Sequence, residues 1–576
     1  MTVRTRTAAA VPWLALALIA VAAVIARLVV LGREGLWCDE GYTAWIVHRP
    51  IPEMLRALQR LDDAPPLFYL LTAATTAVLG RSEFALRLLP ALAGVAAVAW
   101  LLARARRERE APSLWAAAFF SIAAYGVFHA RQARGYGLLM LFALAAVLGA
   151  RDLLLRPTRR AGLMVAIAGT LLVLTHNLGI LICLTSALLW PLRMRPGLPL
   201  RRWALWHAPP LLAWVVYALL SLSQFRVHAE LNAWMGEFWR SHPLTLAPLL
   251  SIGAFVPGTL PRLAHAVPFP ALESDSMPLR LVSAIAVVLL LAAAFVPGLR
   301  FGKRRLDPTA PGVLEEKRAA MIDAAFCLLP LGAMTFTSFL WTPSYVLSRT
   351  DAIAFVPFAL WLGRGLSRVP RGAALAAIVF WTLISLSALG PTYGLGAPGR
   401  AKGADREAAR AMLRQGLRPS DWVVQSYLTA PTIEYYLERA GAAHRTAFYP
   451  RDASTNPAAV RPVSPDSLEA HVREARELRG RLDREMPPDG AVWVPAVIDP
   501  RRAAAGATLT AGDLVYPTGV LVYHLVGNQP VAPVLRYRQD WVGGDRALLR
   551  LARGSWAPLE SLGPVRFADP PGAVTR

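Results

Sequence analysis

Cysteine is nearly missing from this chain: 576 residues hold three. Cys38, Cys183 and Cys327 share no ligand-like spacing, and the last two lie inside apolar runs, which excludes a disulfide framework and a zinc site built on thiolates. Acid is the minority charge, with 38 Asp and Glu against 61 Lys and Arg and a formal net charge of +23. In a water-soluble chain that excess would suggest nucleic acid, but here much of it falls in short blocks between apolar runs, as orientation signals do. Nucleic acid is therefore not an expected partner. Hydrophobic residues make up 55% of the chain and the mean hydropathy is +0.40, which excludes an ordinary soluble globular class.

What is present reads as an all-α polytopic membrane bundle. Arg4 and Arg6 and the stretches 104–109, 151–160, 193–202, 300–318 and 364–371 collect the basic residues, and by the positive-inside rule they are cytoplasmic. Between them fit spans at 11–31, 84–103, 112–128, 135–155, 161–175, 178–192, 203–222, 281–299, 320–341, 352–362 and 373–389, about eleven transmembrane helices if each is roughly 20 residues long. The first resembles a signal peptide, yet its apolar run continues past Arg27 and more spans follow, so an uncleaved span is expected. An odd count puts the N-terminus in the cytoplasm and the C-terminus outside. Two runs, 65–79 and 243–256, are short and proline-punctuated and read as interfacial or re-entrant pieces of the outer-face loops 32–83 and 223–280. His228, Trp234, Trp239 and His242 suit such a membrane-interface loop.

Past the turn-rich stretch 390–394 the composition becomes polar. Residues 1–395 are thus expected to form the membrane domain and 396–576 a soluble α/β domain on the outer side. In the latter, helices are expected at 404–415 and 431–440, strands at 422–426, 491–495 and 519–525, and further strands within 529–551.

The first span ends on Leu36-Trp37-Cys38-Asp39-Glu40. A carboxylate in mid-bilayer costs several kcal/mol, whereas one at the rim keeps its water and its charge. Asp39 and Glu40 could simply cap a helix. If they continue one, they point about 100° apart and take different roles, one toward a reacting centre and one structural or metal-directed. The same outer rim collects His129, Arg131, Gln132, Arg134, His176, Asn177, Tyr345, Arg349 and Asp351 from three further hairpins. Any single Arg there, and Arg27 too, could be a snorkelling anchor. As a set, acids and guanidinium groups are what transfer from a lipid phosphate needs: a cation for the phosphate and an acid/base group near the sugar carbon.

The segment Leu36-Trp37-Cys38-Asp39-Glu40-Gly41-Tyr42 resembles the tryptophan-plus-Asp-Glu motif at the end of the first span in glycosyltransferase family 39, which includes protein O-mannosyltransferases and aminoarabinose transferases. Asp63-Ala64-Pro65-Pro66-Leu67-Phe68-Tyr69 resembles the family's His-Pro-Pro-Leu-Tyr-Tyr segment. The likeness continues through Leu79-Gly80-Arg81-Ser82-Glu83, Leu86-Arg87-Leu88-Leu89-Pro90, Gln132-Ala133-Arg134-Gly135-Tyr136, Thr175-His176-Asn177 and Ser348-Arg349, and covers most of residues 30–365. Ala64 and Gln132 depart from the usual His and Glu, and Gln132 cannot act as an acid or base.

The resemblance implies a GT-C-type fold, an outer-face active site and a polyprenyl-phosphate sugar donor, with a glycan, lipid or protein acceptor in the plasma (inner) membrane. Asp39 is then the expected general base, with Glu40 beside it. Arg87, Arg131, Gln132, Arg134, Tyr136, His176, Arg349, Pro65, Pro66 and Tyr69 are the expected substrate-binding residues. No cofactor is called for with certainty, and the Gln132 departure leaves a divalent metal open. A lipid-linked sugar flippase and a noncatalytic glycan-binding receptor are the alternatives, the former disfavoured because no internal repeat or deeply buried acid is evident.

Overall fold

The computed structural model describes residues 12–61, 64–108, 111–193, 198–221, 255, 277–295, 311–340, 345, 349–393, 405–426, 429–449, 465–498, 508–514, 518–539, 544–558, 560 and 562. The expected outer loop 223–280, with its histidines and tryptophans, falls outside them apart from Phe255 and 277–280. The chain divides into two compact units, and residues 34–50 belong with 396–576 rather than with the helices that flank them.

The larger unit is helical among the described residues: α1 (Trp13–Leu28), then, after α2 (Cys38–Val47) of the other unit, α3 (Ile51–Leu61), α4 (Leu67–Leu79), α5 (Glu83–Glu108), α6 (Ala111–Ile122), α7 (Ala124–Ala130), α8 (Tyr136–Leu155), α9 (Arg159–Thr175), α10 (Gly179–Leu188), α11 (Leu200–Leu220), α12 (Met277–Ala293), α13 (Pro311–Leu340), α14 (Ala352–Leu366) and α15 (Arg371–Leu389). Each apolar run expected to span is helical over most of its described residues. By length and composition, however, four helices among the described residues can cross a bilayer, at 83–107, 136–155, 200–220 and 313–340, or five if α6 and α7 together make one span. Others, such as Trp13–Leu28 and Ala352–Leu366, are shorter than the roughly 20 residues a straight crossing takes. Among the described residues, four or five helices thus have the length and composition of a full crossing.

Helices α8 and α14 lie at the centre of this unit, packed on α5, α9 and α6, and α14 is buried at every position. A helix apolar all round can be stable only when neighbours or lipid cover every face. Where charges enter this interior they are matched: Asp323, fully buried on α13, takes Nε of Arg364 and lies 3.5 Å from Arg151. Arg104 grips Asp152 through two bonds of 2.8 and 2.6 Å.

The run expected as one span at 112–128 is broken. Helices α6 and α7 meet at 63° around Ala123, with neither proline nor glycine at the break. A break in a dry interior strands main-chain groups that need partners. Arg27 of α1 supplies them, donating to the carbonyls of Phe120 at 2.8 Å and Ser121 at 3.1 Å, while the Ala124 N–H donates to Ser385 Oγ at 3.3 Å. Arg27 is 0% exposed. It is no snorkelling anchor but the plug of a helix break, and its guanidinium is accommodated because position 94 is glycine: a Cβ there would lie 2.7 Å from Arg27 Nε.

The smaller unit carries a five-stranded sheet of order β2-β1-β3-β5-β4, with β1 (Trp422–Gln425), β2 (Arg445–Phe448), β3 (Ala491–Val497), β4 (Leu535–Gln539) and β5 (Gly544–Ala552). The first three strands are parallel, and β5 pairs antiparallel with both β3 and β4. Its helices are α16 (Asp405–Arg414), α17 (Ala430–Arg439), α18 (Pro465–Glu485) and α19 (Thr518–Val526). The apolar core includes Trp422, Val492, Val494, Leu482, Leu521 and Leu549.

The stretch 519–525, expected as a strand, is helical. All of it except Tyr523 is buried, and a short run buried on every side has no periodicity to separate strand from helix, so its β-branched residues mislead. Helix α18 and strand β2 were not anticipated.

Candidate functional site

Within the helical unit the site is built from chain turns at helix ends. Pro65 and Pro66 lead into α4, where Pro66 is the N-cap and its carbonyl accepts the first helical bond, from Leu70 N–H at 2.9 Å. Proline is tolerated there because an N-terminal residue has no intrahelical use for its N–H. The turn delivers Tyr69, 1% exposed, whose hydroxyl accepts from Arg134 at 3.1 Å. Arg134 stands in the short turn between α7 and α8, which Arg131 closes on one side and Gly135 opens on the other. Gly135 backs onto Phe68 and Thr175, each 3.5 Å from where a Cβ would stand. Three distant segments, 65–69, 134–136 and 175–176, thus meet.

Tyr136 is the hub of this cluster. Its hydroxyl accepts from Arg349 Nε at 3.2 Å, and its ring lies 4.7 Å from His129 and 5.8 Å from His176, centroid to centroid. His176 caps α9, and its Nδ1 accepts from Leu178 N–H at 3.2 Å. In the neutral imidazole that bond leaves the proton on Nε2. The buried Tyr125 ring lies 4.5 Å from that of His129, tilted by 58°, and its hydroxyl donates to Asp351 Oδ1 at 2.7 Å. Tyr125 was not anticipated. The only hint in the sequence is that it lies four residues before His129, one helical turn away.

The other expected phosphate ligands are placed differently. Arg131 aims its guanidinium at the end of α1, donating to the carbonyls of Ala26 at 3.3 Å, Arg27 at 3.2 Å, Val29 at 2.8 Å and Val30 at 3.4 Å. Those are carbonyls at and just beyond a helix C-terminus, which lack intrahelical donors. Val30 sits at φ 51°, a conformation that a β-branched residue holds only where its surroundings impose it. Arg87 is 2% exposed and donates to Leu31 O at 3.1 Å on the same stretch. Gln132 is buried as well. Arg134 and Arg349, by contrast, are half-exposed.

The acid pair lies in the smaller unit, on the first turn of α2. Glu40 is 0% exposed, and its Oε2 accepts from Trp37 N–H at 3.4 Å across the helix start. That is one half of a capping box. Asp39 is half-exposed, and its own carbonyl accepts from Thr43 Oγ1 at 3.1 Å. The two carboxylates therefore divide as their spacing suggests, Glu40 structural and Asp39 outward. Among the described residues no three His, Cys, Asp or Glu side chains converge in a way that could hold a metal ion.

No protein-family profile and no curated protein matches the chain. The structure is similar to the arabinofuranosyltransferase AftD from Mycobacteria, at 15% identity and a TM-score of 0.44, over 96% of this chain. The chain spans 40% of AftD's length. It is also similar to ArnT from Cupriavidus metallidurans in the apo state, at 16% identity and a TM-score of 0.43, over 94% of this chain and 98% of that one. A further likeness, at 14% identity and a TM-score of 0.39, is to the oligosaccharyltransferase of Archaeoglobus fulgidus, over 84% of this chain and 69% of that one.

Proposed function

We propose that this protein is an integral membrane glycosyltransferase that moves a sugar from a polyprenyl-phosphate donor to an acceptor hydroxyl at the outer face of the plasma membrane. The observation that carries the reading is the cluster around Tyr136. Two half-exposed guanidinium groups, Arg134 and Arg349, each bonded to a phenol hydroxyl, come from segments that the family resemblance selects. A guanidinium bonded to a phenol oxygen gains by exchanging that acceptor for a phosphate, whose negative charge and paired oxygens match the guanidinium fork.

In the reaction, the Asp39 carboxylate takes the proton of the acceptor hydroxyl, and the oxygen so activated bonds to the anomeric carbon. The bond from that carbon to the phosphate oxygen breaks, its electron pair leaves with the polyprenyl phosphate, and Arg134 and Arg349 hold the charge that develops there. Attack opposite the leaving group inverts the anomeric centre. His176, Tyr136 and Tyr69 orient the headgroup, Pro65 and Pro66 shape the wall, and Glu40 holds the helix that presents Asp39. In this reading residues 396–576 lie outside the membrane and the N-terminus lies in the cytoplasm.

The test is reconstitution of the protein with radiolabelled polyprenyl-phosphate sugars and a panel of envelope lipids and glycans as acceptors. Transfer by the wild type, lost in Asp39→Asn, is the expected result. Equal transfer by that variant refutes the mechanism, and movement of labelled lipid across vesicles without covalent transfer would instead identify a flippase.

A further inference from the structure

Helix α2, which carries Asp39, is fastened to helix α17 at three points along its length. Before its first turn, the Leu36 N–H donates to the Tyr436 hydroxyl at 2.7 Å, a bond between residues 400 positions apart in sequence. In its middle, Gly41 lies so close to α17 that a Cβ would stand 2.7 Å from Thr432 Cγ2, 2.9 Å from Thr432 N and 3.0 Å from the Pro431 carbonyl carbon. At its end, the His48 ring stacks on Tyr435 with centroids 6.2 Å apart and planes 11° from parallel.

Each anchor is itself held. Thr432 Oγ1 donates to Asp405 Oδ2 at 2.7 Å, and Asp405, fully buried at the start of α16, lies 3.6 Å from Arg546 of β5. Tyr436 packs edge-on against Tyr435 at 4.9 Å. A helix of ten residues is too short to be stable in water by itself. The direction in which α2 presents its side chains is therefore set by what it is docked on, and that surface belongs to the sheet-bearing part of the chain.

We infer that α17 is the seat that orients Asp39, with Tyr436 and Thr432 as positioning residues and Gly41 as the contact that lets the helices approach. On this view the C-terminal part of the chain holds part of the catalytic apparatus in place and is not an appended binding module. The inference rests on the reading of Asp39 as the base. A base needs to stand within hydrogen-bond reach of the proton it takes, and displacing a reacting group by about 1 Å can cost on the order of a hundredfold in rate. Removing the Tyr436 hydroxyl leaves the Leu36 N–H without its acceptor and loosens the start of α2, two residues before its first helical position.

The experiment compares Tyr436→Phe and Gly41→Ala with the wild type in full-length, reconstituted protein. It measures kcat, donor KM, the melting temperature and amide hydrogen exchange. Both variants are expected to lower kcat by roughly tenfold or more, as misplacement of a reacting group does, with donor KM within about twofold because the phosphate-binding arginines are untouched. Exchange should rise over residues 36–47 and stay unchanged in strand 422–425. A general loss of structure would instead raise KM, lower the melting temperature and increase exchange in both segments, and that result overturns the inference. So does wild-type kcat in both variants when Asp39→Asn is inactive. If Asp39→Asn transfers normally, the catalytic reading fails instead, and unchanged exchange over 36–47 in Tyr436→Phe would separately remove the docking.

Discussion

Five arginines of the helical unit were candidates for the same job or for none, and the structure sorts them by what they donate to. Arg27, Arg87 and Arg131 are buried and donate to main-chain carbonyls at the broken α6–α7 junction and at the end of α1. Arg134 and Arg349 are half-exposed and bonded to phenol hydroxyls. In sequence the two sets are indistinguishable, and Arg131 and Arg134 stand three residues apart in one turn. The comparison teaches that a guanidinium near a membrane rim serves whichever acceptors the local backbone leaves unsatisfied. Only where the helices end cleanly is it turned toward something else.

The largest expected effect tests the second set. Arg349→Gln keeps a hydrogen-bond donor near Tyr136 and removes the charge. It should lower transfer by about 10² to 10³-fold, the size seen when a donor to a developing anion is lost. The melting temperature of the purified protein should stay within a few degrees, because substitutions of half-exposed side chains usually cost little in folding. A variant that loses activity and melting temperature together would move Arg349 into the structural set.

Arg27→Met is the converse. It leaves the Phe120 and Ser121 carbonyls without their donor in a dry interior, at roughly 1–3 kcal/mol for each buried group. The protein should melt markedly lower and aggregate in detergent, which fluorescence-detected size exclusion after heating would show. Gly94→Ala should act in the same direction by crowding the Arg27 guanidinium. Retention of wild-type stability by both would mean that the break between α6 and α7 is closed by other donors.

A smaller effect sharpens the boundary between the sets. Tyr136→Phe removes the acceptor that orients Arg349 but leaves its charge, so transfer should fall by about tenfold or less, near the 1–1.5 kcal/mol of one hydrogen bond. A loss as large as that of Arg349→Gln would assign the phenol a direct part in the chemistry.

How much of this was legible depends on the range of the force involved. The apolar runs mark where helices lie because every residue in them contributes to the signal, and Tyr69, Arg134, Tyr136, His176 and Arg349, from four of the motif segments, lie near one another. The break at Ala123 was hidden because its cause, Arg27, acts from 93 and 94 residues away. Span length is harder to read, because hydropathy does not record that a helix such as α14 is buried within protein at every position. In the sheet-bearing unit, α18 carries a helical apolar period in Val472, Ala475, Leu478 and Leu482, but the charged residues at most of its other positions mask it. The docking of residues 34–50 includes a hydrogen bond between residues 400 positions apart, a close approach and a ring stack, and contacts at such separation leave no local pattern in sequence.

The rule that the partner decides the role extends to two histidines of the smaller unit, where it gives the smallest effect. His524 is buried near Arg476 and Arg479, and burial first and those charges second push its pKa down to about 4. His444 instead donates toward Glu434 at 3.1 Å, and that bond holds its pKa above the ordinary value. The signs are opposite. Below about 6.5, the unfolded value, an unfolded chain takes up a proton at His524 that the folded protein refuses until about pH 4, so stability falls as the medium becomes acid through that interval. The His444 contribution is fully present below about 6.5 and is lost as pH rises through its raised folded value. His444→Gln should therefore lower the melting temperature at pH 6 by a few degrees, the equivalent of about 1 kcal/mol in a unit of this size, and leave it unchanged at pH 9. An equal loss at both pH values would show that the imidazole acts by its shape, and not by its charge against Glu434.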